Sequence, residues 1–213
     1  LLDTYLRAEE SEVISAFEDM SLIDLVVQKG EDAVKDLPEG IRNNPEAVAE
    51  TIENNVRKLI IDESPVNPKY FERMSELLDA LIEQRKKEAL EYKDYLARIV
   101  ELTKQTKSGG QEPTKYEYDL DTPAKKALFD NLQGRVSADD LRPLDKMAAE
   151  PSEDWARHAS KAVDRAVRLV KKDDWRGMRA KRIEVKNAIK SIFTDDNLLV
   201  DELYTIIESR SDY

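Results

Sequence analysis

Apolar residues recur every seven positions through the middle of the chain, and this spacing constrains the fold more than any other feature. Two such rows, offset by three residues, lie along one side of a helix, as in a coiled-coil seam. We therefore expect one long helix or a helix pair over about residues 68–105, which unbroken would be about 57 Å long at roughly 1.5 Å per residue. The rows are Phe71, Leu78, Tyr92 and Ile99 around Arg85, and Met74, Leu81, Tyr95 and Leu102 around Glu88.

A polar pair, Arg85 and Glu88, interrupts both rows at their midpoint. The interruption is compatible with solvent exposure, with a kink, or with a buried pair that fixes the register of the helices. We expect solvent exposure, because it requires neither a kink nor a buried partner for the two residues.

Asparagine or threonine followed by proline marks several helix starts. In Asn44-Pro45, Asn67-Pro68 and Thr122-Pro123, the first residue has a side chain that can cap a helix. The proline suits the first helical position, because the backbone N–H that it lacks would have no partner inside the helix there. Apolar residues at helical spacing follow each pair, and also follow Ser152, where we expect a serine-capped helix. With further periodic segments at both ends, the sequence predicts an all-α fold. We expect an irregular helical bundle of seven to nine helices with no significant sheet.

Lys107-Ser108-Gly109-Gly110, followed by Pro113, has the composition of a loop and marks the best domain boundary. We therefore expect a long-helix hairpin over residues 44–107 and a C-terminal helical subdomain over residues 108–213. Residues 1–43 form a separate N-terminal helical segment in this scheme.

The composition excludes several classes of protein. The 213 residues include 45 acidic and 34 basic side chains, one histidine and no cysteine. Without cysteine there are no disulfides, thiolate zinc sites or cysteine nucleophiles. No run of about 18 apolar residues is available to span a membrane. Because Leu1 replaces an initiator methionine and no signal-peptide pattern follows, we expect a piece of a longer, cytoplasmic protein.

Basic residues are concentrated near the C-terminal end, although the net charge of the chain is −11. From Arg165 to Lys190 there are ten basic and three acidic residues, so this window carries +7. Such a block is compatible with a solvated helix face, or with a site for a phosphate backbone or an acidic partner. The candidate partner- or DNA-contact residues are Arg168, Lys171, Lys172, Trp175, Arg176, Arg179, Lys181, Arg182 and Lys186.

Motifs of catalytic sites are absent or out of context. Residues 107–110 have the residue types of a phosphate-binding loop in the wrong order. Glu184-Val185-Lys186 matches a nuclease tripeptide, but in a helical pattern its two charged residues point about 200° apart. His158 lies in an amphipathic helical pattern, where we expect a structural or surface role. We therefore predict no catalytic residue, no metal site and no cofactor for this chain.

Three stretches carry a family resemblance. Residues 173–177 are Asp-Asp-Trp-Arg-Gly and precede a helical pattern over residues 183–189. Residues 67–78 are NPKYFERMSELL, continuing through residues 97–102, and residues 121–132 are DTPAKKALFDNL. These stretches resemble the C-terminal helical region of the R subunit, the motor and nuclease subunit, of type I restriction-modification enzymes. The Asp-Asp-Trp-Arg-Gly block is the most specific of them.

The resemblance implies an assembly role. The intact R subunit would carry a metal-dependent nuclease domain and two ATP-driven translocase domains, with ATP and Mg as cofactors of the full-length subunit. This chain contains neither, and residues 1–43 would be the end of a linker from the preceding motor domain. The C-terminal helices would dock the R subunit onto the methyltransferase and specificity subunits.

The residues of the Asp174-Trp175-Arg176-Gly177 turn can also be interpreted from their own chemistry, without the family resemblance. Trp175 suits either a core anchor or an interface hot spot. Arg176 can pair with an adjacent aspartate, stack on Trp175 or reach a phosphate. Gly177 permits a left-handed turn between two helices.

Three functions from different classes remain open. The first is the non-catalytic docking domain, and the second is a DNA-contacting domain that uses the basic surface of residues 165–190. The third is an unrelated helical adaptor or coiled-coil dimer built on the seam of residues 71–102. None of them involves a membrane or a small-molecule substrate.

Overall fold

The computed structural model describes residues 21–87, 90–110, 116, 118–143, 154–194 and 197–213. Within these ranges the fold is all-α, as predicted, and the only extended pairing is an isolated antiparallel bridge between Leu141 and Phe193. The α-helices are α1 Leu22–Lys29, α2 Glu39–Arg42, α3 Pro45–Glu63, α4 Pro68–Lys86, α5 Tyr92–Ser108, α6 Pro123–Leu132, α7 Trp155–Val170, α8 Arg179–Lys190 and α9 Asn197–Ser209.

The predicted capping residues begin three of these helices. The side chains of Asn44, Asn67 and Thr122 accept hydrogen bonds from backbone N–H groups in the first turns of α3, α4 and α6. These groups have no partner inside the helix, so each cap stabilises the start of its helix. The serine cap predicted at Ser152 lies outside the described residues, and α7 is capped by Asp154, whose carboxylate accepts from two N–H groups.

The heptad seam forms a hairpin of two helices rather than one rod. The chain folds back between Lys86 and Tyr92, so that α4 and α5 run antiparallel. The Tyr70 hydroxyl in the first turn of α4 donates to the carbonyl of Gln105 in the last turns of α5, at 2.6 Å. Except for Tyr92, the apolar residues of the seam are buried within the chain. The pattern therefore correctly located the helices, but not the turn between them.

Arg85 corrects our expectation of an exposed interruption. Its side chain is 9% exposed and donates to both carboxylate oxygens of Glu53 on α3, at 2.9 and 3.1 Å. A further hydrogen bond from Arg85 reaches Glu46, and the hydroxyl of Tyr95 donates to Glu53 at 2.8 Å. Arg85 therefore belongs to a largely buried ionic network, because it finds its partners on a third helix, whereas Glu88 lies outside the described residues.

The helices enclose two hydrophobic cores. The first is formed by α1 and α3–α5 together with the turn at residues 30–37, so residues 22–37 share a core with the hairpin. The second is formed by α6–α9 and the chain end. The large side chains that are almost completely buried include Ile52, Phe71, Leu78, Tyr95 and Ile99 in the first core, and Leu128, Leu132, Ile189, Phe193 and Leu203 in the second.

Buried polar side chains join the two cores. The amide of Asn67 donates to Asp130 on α6 at 2.9 Å, and the amide of Asn131 donates back to Asn67 at 2.8 Å. The hydroxyl of Tyr116 also donates to Asp130, at 2.7 Å. Because buried polar groups are costly unless they are paired, this network requires the two cores to meet in one orientation.

Candidate functional site

The Asp-Asp-Trp-Arg-Gly segment forms the corner between α7 and α8. Trp175 is 2% exposed and belongs to the second core. Its indole N–H donates to the backbone carbonyl of Tyr213 at 3.3 Å, and its ring meets Tyr204 edge-on at 6.2 Å between centroids. Of the two roles left open by the sequence, Trp175 has that of a core anchor.

Arg176 holds the end of the last helix. Its guanidinium lies 4.5 Å from the centroid of the Trp175 ring, which is one of the three arrangements that the sequence left open. The last carbonyls of a helix lack intrahelical partners, and a planar guanidinium can serve several of them at once. Arg176 donates to the carbonyls of Glu208 at 2.8 Å, Tyr213 at 3.0 Å and Ile207 at 3.4 Å, and to that of Arg210.

The left-handed residue of the corner is Asp174, not Gly177 as the sequence suggested. Asp174 has φ 54° and ψ 32°, and it is the only non-glycine residue with positive φ among the described parts of the chain. Gly177 has an ordinary φ, but a Cβ there would lie 2.8 Å from a carboxylate oxygen of Asp174. Aspartate tolerates positive φ better than most residues do. Since aspartate is also common in ordinary conformations, its presence at this position did not predict a left-handed residue.

Substitution of Asp174 tests the corner geometry. We expect Asp174→Gly to leave the free energy of unfolding unchanged or to raise it by up to about 1 kcal/mol, because glycine adopts positive φ without steric cost. Asp174→Val is expected to lower it by about 1–3 kcal/mol through backbone strain. Urea unfolding followed by circular dichroism measures both. Equal stability of the glycine and valine variants would contradict the left-handed assignment.

Tyr213 is a residue of this region that sequence reasoning missed. Its hydroxyl donates to the buried carboxylate of Asp164 at 2.7 Å, and the guanidinium of Arg168 lies 5.0 Å from its ring centroid. Burial, together with the negative charge of Asp164, raises the pKa of the Tyr213 hydroxyl. Arg168 in turn donates to Asp164 at 3.0 Å, a hydrogen bond that raises the pKa of Arg168. Nothing in the local sequence links these residues, because Asp164 lies 49 positions before Tyr213.

Most candidate cations around α8 have partners inside the fold. Lys172 pairs with Glu184 at 2.8 Å, and Lys181 donates to the backbone carbonyl of Asp173 at 2.6 Å. On the side facing α9, Arg182 lies 3.9 Å from Glu208, and Lys186 pairs with Asp201. For Lys171 and Arg179 the described part of the chain offers no ion-pair partner. The window of residues 165–190 is therefore not a uniformly free positive surface.

The residues that were considered for catalysis lie on two helices, α7 and α8. Glu184-Val185-Lys186 is on helix α8, with Val185 buried and its two charged neighbours exposed. His158 is buried on α7, with its ring 6.5 Å from that of Trp155. Over the described ranges no group of three or more acidic, histidine or cysteine side chains is arranged to hold a metal ion.

None of the helices in the described ranges is both long enough and apolar enough to cross a membrane.

The chain matches no protein-family model, no curated protein sequence and no solved structure. Its function is therefore argued from its own residues and from the three resembling stretches.

Proposed function

We propose that this chain is a non-catalytic helical assembly domain of the R subunit of a type I restriction endonuclease. In this role it docks the motor and nuclease subunit onto the methyltransferase and specificity subunits. The whole enzyme would use ATP and Mg for DNA translocation and cleavage, in domains outside this chain.

The observation that carries the proposal is that the three resembling stretches build the framework of the fold. Asn67 in the first stretch is hydrogen-bonded to Asp130 and Asn131 in the second, across the junction of the cores. The third stretch anchors the second core through Trp175 and holds the end of α9 through Arg176. Residues that stabilise a domain in this way are the ones that members of one family are expected to share.

The structure supports the other two functions less well than it supports the docking role. A DNA surface over residues 165–190 is weakened by the ion pairs of its cations: Lys172 with Glu184, Arg182 with Glu208 and Lys186 with Asp201. A dimer built on the seam would need those apolar residues at the surface, and they are buried within one chain. Large apolar residues do remain exposed elsewhere, as a docking domain requires; they include Ile61, Leu77, Leu169 and Ile183.

A competition experiment tests the docking role. Labelled full-length R subunit is bound to the methyltransferase–specificity core, and this chain is added in increasing amounts. We expect the chain to displace the label, because it presents the same docking surface. The matched variants are Leu77→Gln and Leu169→Gln, which change exposed side chains and leave both cores intact. At least one is expected to weaken displacement while the helix content is unchanged. No displacement by a hundredfold excess of folded chain would contradict the proposal.

A further inference from the structure

We infer that the four residues after α9, Arg210–Tyr213, form a strap that fixes the two cores in one orientation and couples their junction to α7. The strap contacts the first core at one end and the second core at the other. When it is seated, the two cores behave as one body, and when it is released, their junction loosens. The inference concerns the conformation of the chain and does not depend on the docking role.

The first step is the contact between the strap and the first core. The guanidinium of Arg210 donates to the backbone carbonyl of Val66 at 3.1 Å, and Val66 packs against the first core. The same guanidinium donates to the carboxylate of Asp212 at 2.8 and 3.3 Å. The Arg210 side chain is only 10% exposed, so little water competes for these hydrogen bonds. The planar guanidinium thus positions the strap against the first core.

The second step is the attachment of the strap to the second core. The hydroxyl of Tyr213 donates to the buried carboxylate of Asp164 on α7 at 2.7 Å. The backbone carbonyl of Tyr213 accepts a hydrogen bond from the indole N–H of Trp175 at 3.3 Å. Between the two ends of the strap, the carbonyl of Asp212 accepts a hydrogen bond from Arg168, also on α7, at 3.4 Å. These contacts place the far end of the strap on α7 and on the corner that follows it.

The third step is the position of Val66, the partner of the strap in the first core. Val66 directly precedes Asn67 in the segment between α3 and α4. The side chain of Asn67 is hydrogen-bonded to Asp130 and Asn131 on α6, and the backbone N–H of Lys69 donates to Asn131 at 3.2 Å. One short segment thus holds α6 through Asn67 and the strap through Val66. Two attachments resist a rotation that either one alone would permit, so release of the strap lets the junction turn about Asn67.

The strap is also the part of this arrangement that can open alone. It lies outside the helices, and its middle residues, Ser211 and Asp212, are exposed and partly exposed. Open clefts of about 230 Å³ and 260 Å³ flank the strap, the first beside Arg210 and Ser211 and the second beside Tyr213. Segments with solvent-accessible hydrogen bonds and few apolar contacts open at a lower cost in free energy than the helices of a core. Release of the strap therefore precedes the unfolding of either core.

A continuous series of hydrogen bonds leads from the junction of the cores to α7. Each member is bonded to the next, in the order Val66, Arg210, Asp212, Arg168, Asp164 and Tyr213. Because the strap at the centre of the series has a seated and a released state, a change at one end alters the population of these states at the other. Coupling of this kind is reciprocal. Loss of the hydrogen bond at Tyr213 therefore loosens the junction, and loss of the hydrogen bond at Val66 loosens the attachment to α7.

Native-state hydrogen exchange of the full chain, measured by NMR, tests the inference at two reporter sites. The backbone N–H of Lys69 is bonded across the junction, and the indole N–H of Trp175 is bonded to the strap. We expect Arg210→Met to speed the exchange of both by about tenfold or more, because the strap is released from the first core. Tyr213→Phe removes a single hydroxyl that contacts α7. We expect it to speed the exchange of Lys69, in the first core, by about threefold or more.

Two controls separate release of the strap from a general loss of stability. Arg57→Met makes the same substitution at the exposed ion pair with Asp79 on α3 and α4, and we expect it to change both reporter rates less than about twofold. The backbone N–H groups of Ile99 and Leu203, inside the two cores, report unfolding of the cores themselves. We expect their exchange to change less than that of the reporter sites. Circular dichroism of each variant establishes that the helices are retained.

Three results would each overturn the inference. The first is an unchanged exchange rate of Lys69 in Tyr213→Phe, and the second is an equal effect of Arg210→Met and Arg57→Met. The third is an equal acceleration at the reporter sites and at the two core amides, because the variants would then destabilise the whole fold and the strap would have no separate motion.

Discussion

Replacement of Arg85 by methionine is expected to lower the free energy of unfolding by about 3–5 kcal/mol, because it leaves the buried carboxylate of Glu53 without its cation. Arg85 and Glu53 are 9% and 8% exposed, so water cannot replace the lost partner. The Tyr95 hydroxyl would remain the main donor to Glu53. Urea unfolding followed by far-UV circular dichroism measures the change.

Two further variants separate the charge from the packing. In Arg85→Met/Glu53→Gln the buried charge is gone, and the amide oxygen can still accept the hydrogen bond from Tyr95. We expect this double variant to regain at least about 1 kcal/mol relative to Arg85→Met, since an unpaired buried charge costs more than a neutral amide. The exposed pair of Arg57 and Asp79, 2.6 Å apart, is the control. Arg57→Met is expected to cost less than about 1 kcal/mol. A similar cost for Arg57→Met and Arg85→Met would refute the buried network.

Trp175→Ala is expected to destabilise the chain by about 3–5 kcal/mol, the cost of a large cavity in a closed core. The indole fills the second core, supports the guanidinium of Arg176 and donates to Tyr213. Trp175→Phe keeps most of the apolar volume but loses the N–H donor, so we expect a smaller loss of about 1–2 kcal/mol. The same urea unfolding measurement compares the two variants.

Fluorescence provides a second measurement on the same residue. The chain has two tryptophans, so in a Trp155→Phe background all tryptophan emission comes from Trp175. We expect a blue-shifted spectrum that acrylamide quenches weakly, because the ring is buried. Emission typical of a water-exposed indole would show instead that Trp175 is a surface residue, available to a partner as a hot spot.

Local signals in the sequence predicted most of the fold. Capping residues such as Asn44 and Thr122 act within three residues of themselves, so their effect is visible in the sequence alone. The sequence left one long helix and a helix pair open over residues 68–105, because a heptad pattern is satisfied equally by one rod and by two helices packed side by side. The partners of Arg85 lie 32 and 39 positions earlier in the chain, and no spacing rule connects them.

The candidate site was predictable only in part. Composition located the basic region, but the sequence left three arrangements open for Arg176, and the structure shows stacking on Trp175. The carboxylates that pair with the cations of α8 belong mostly to a helix that follows it in the chain, so the sequence window overstated the unpaired positive charge. The net charge of a sequence window matches the net charge of the corresponding surface only when the acidic residues near that surface also lie within the window.

The separation of the two cores affects the order in which the chain can fold during its synthesis on the ribosome. Each core is assembled from one continuous length of polypeptide, the first ending with α5 and the second beginning with α6. Domains generally fold as units during synthesis, with the N-terminal one first. The N-terminal half can therefore complete its packing while α6 is still inside the exit tunnel. The hydrogen bonds that join Asn67 to Asp130 and Asn131 can form only after the second half has emerged.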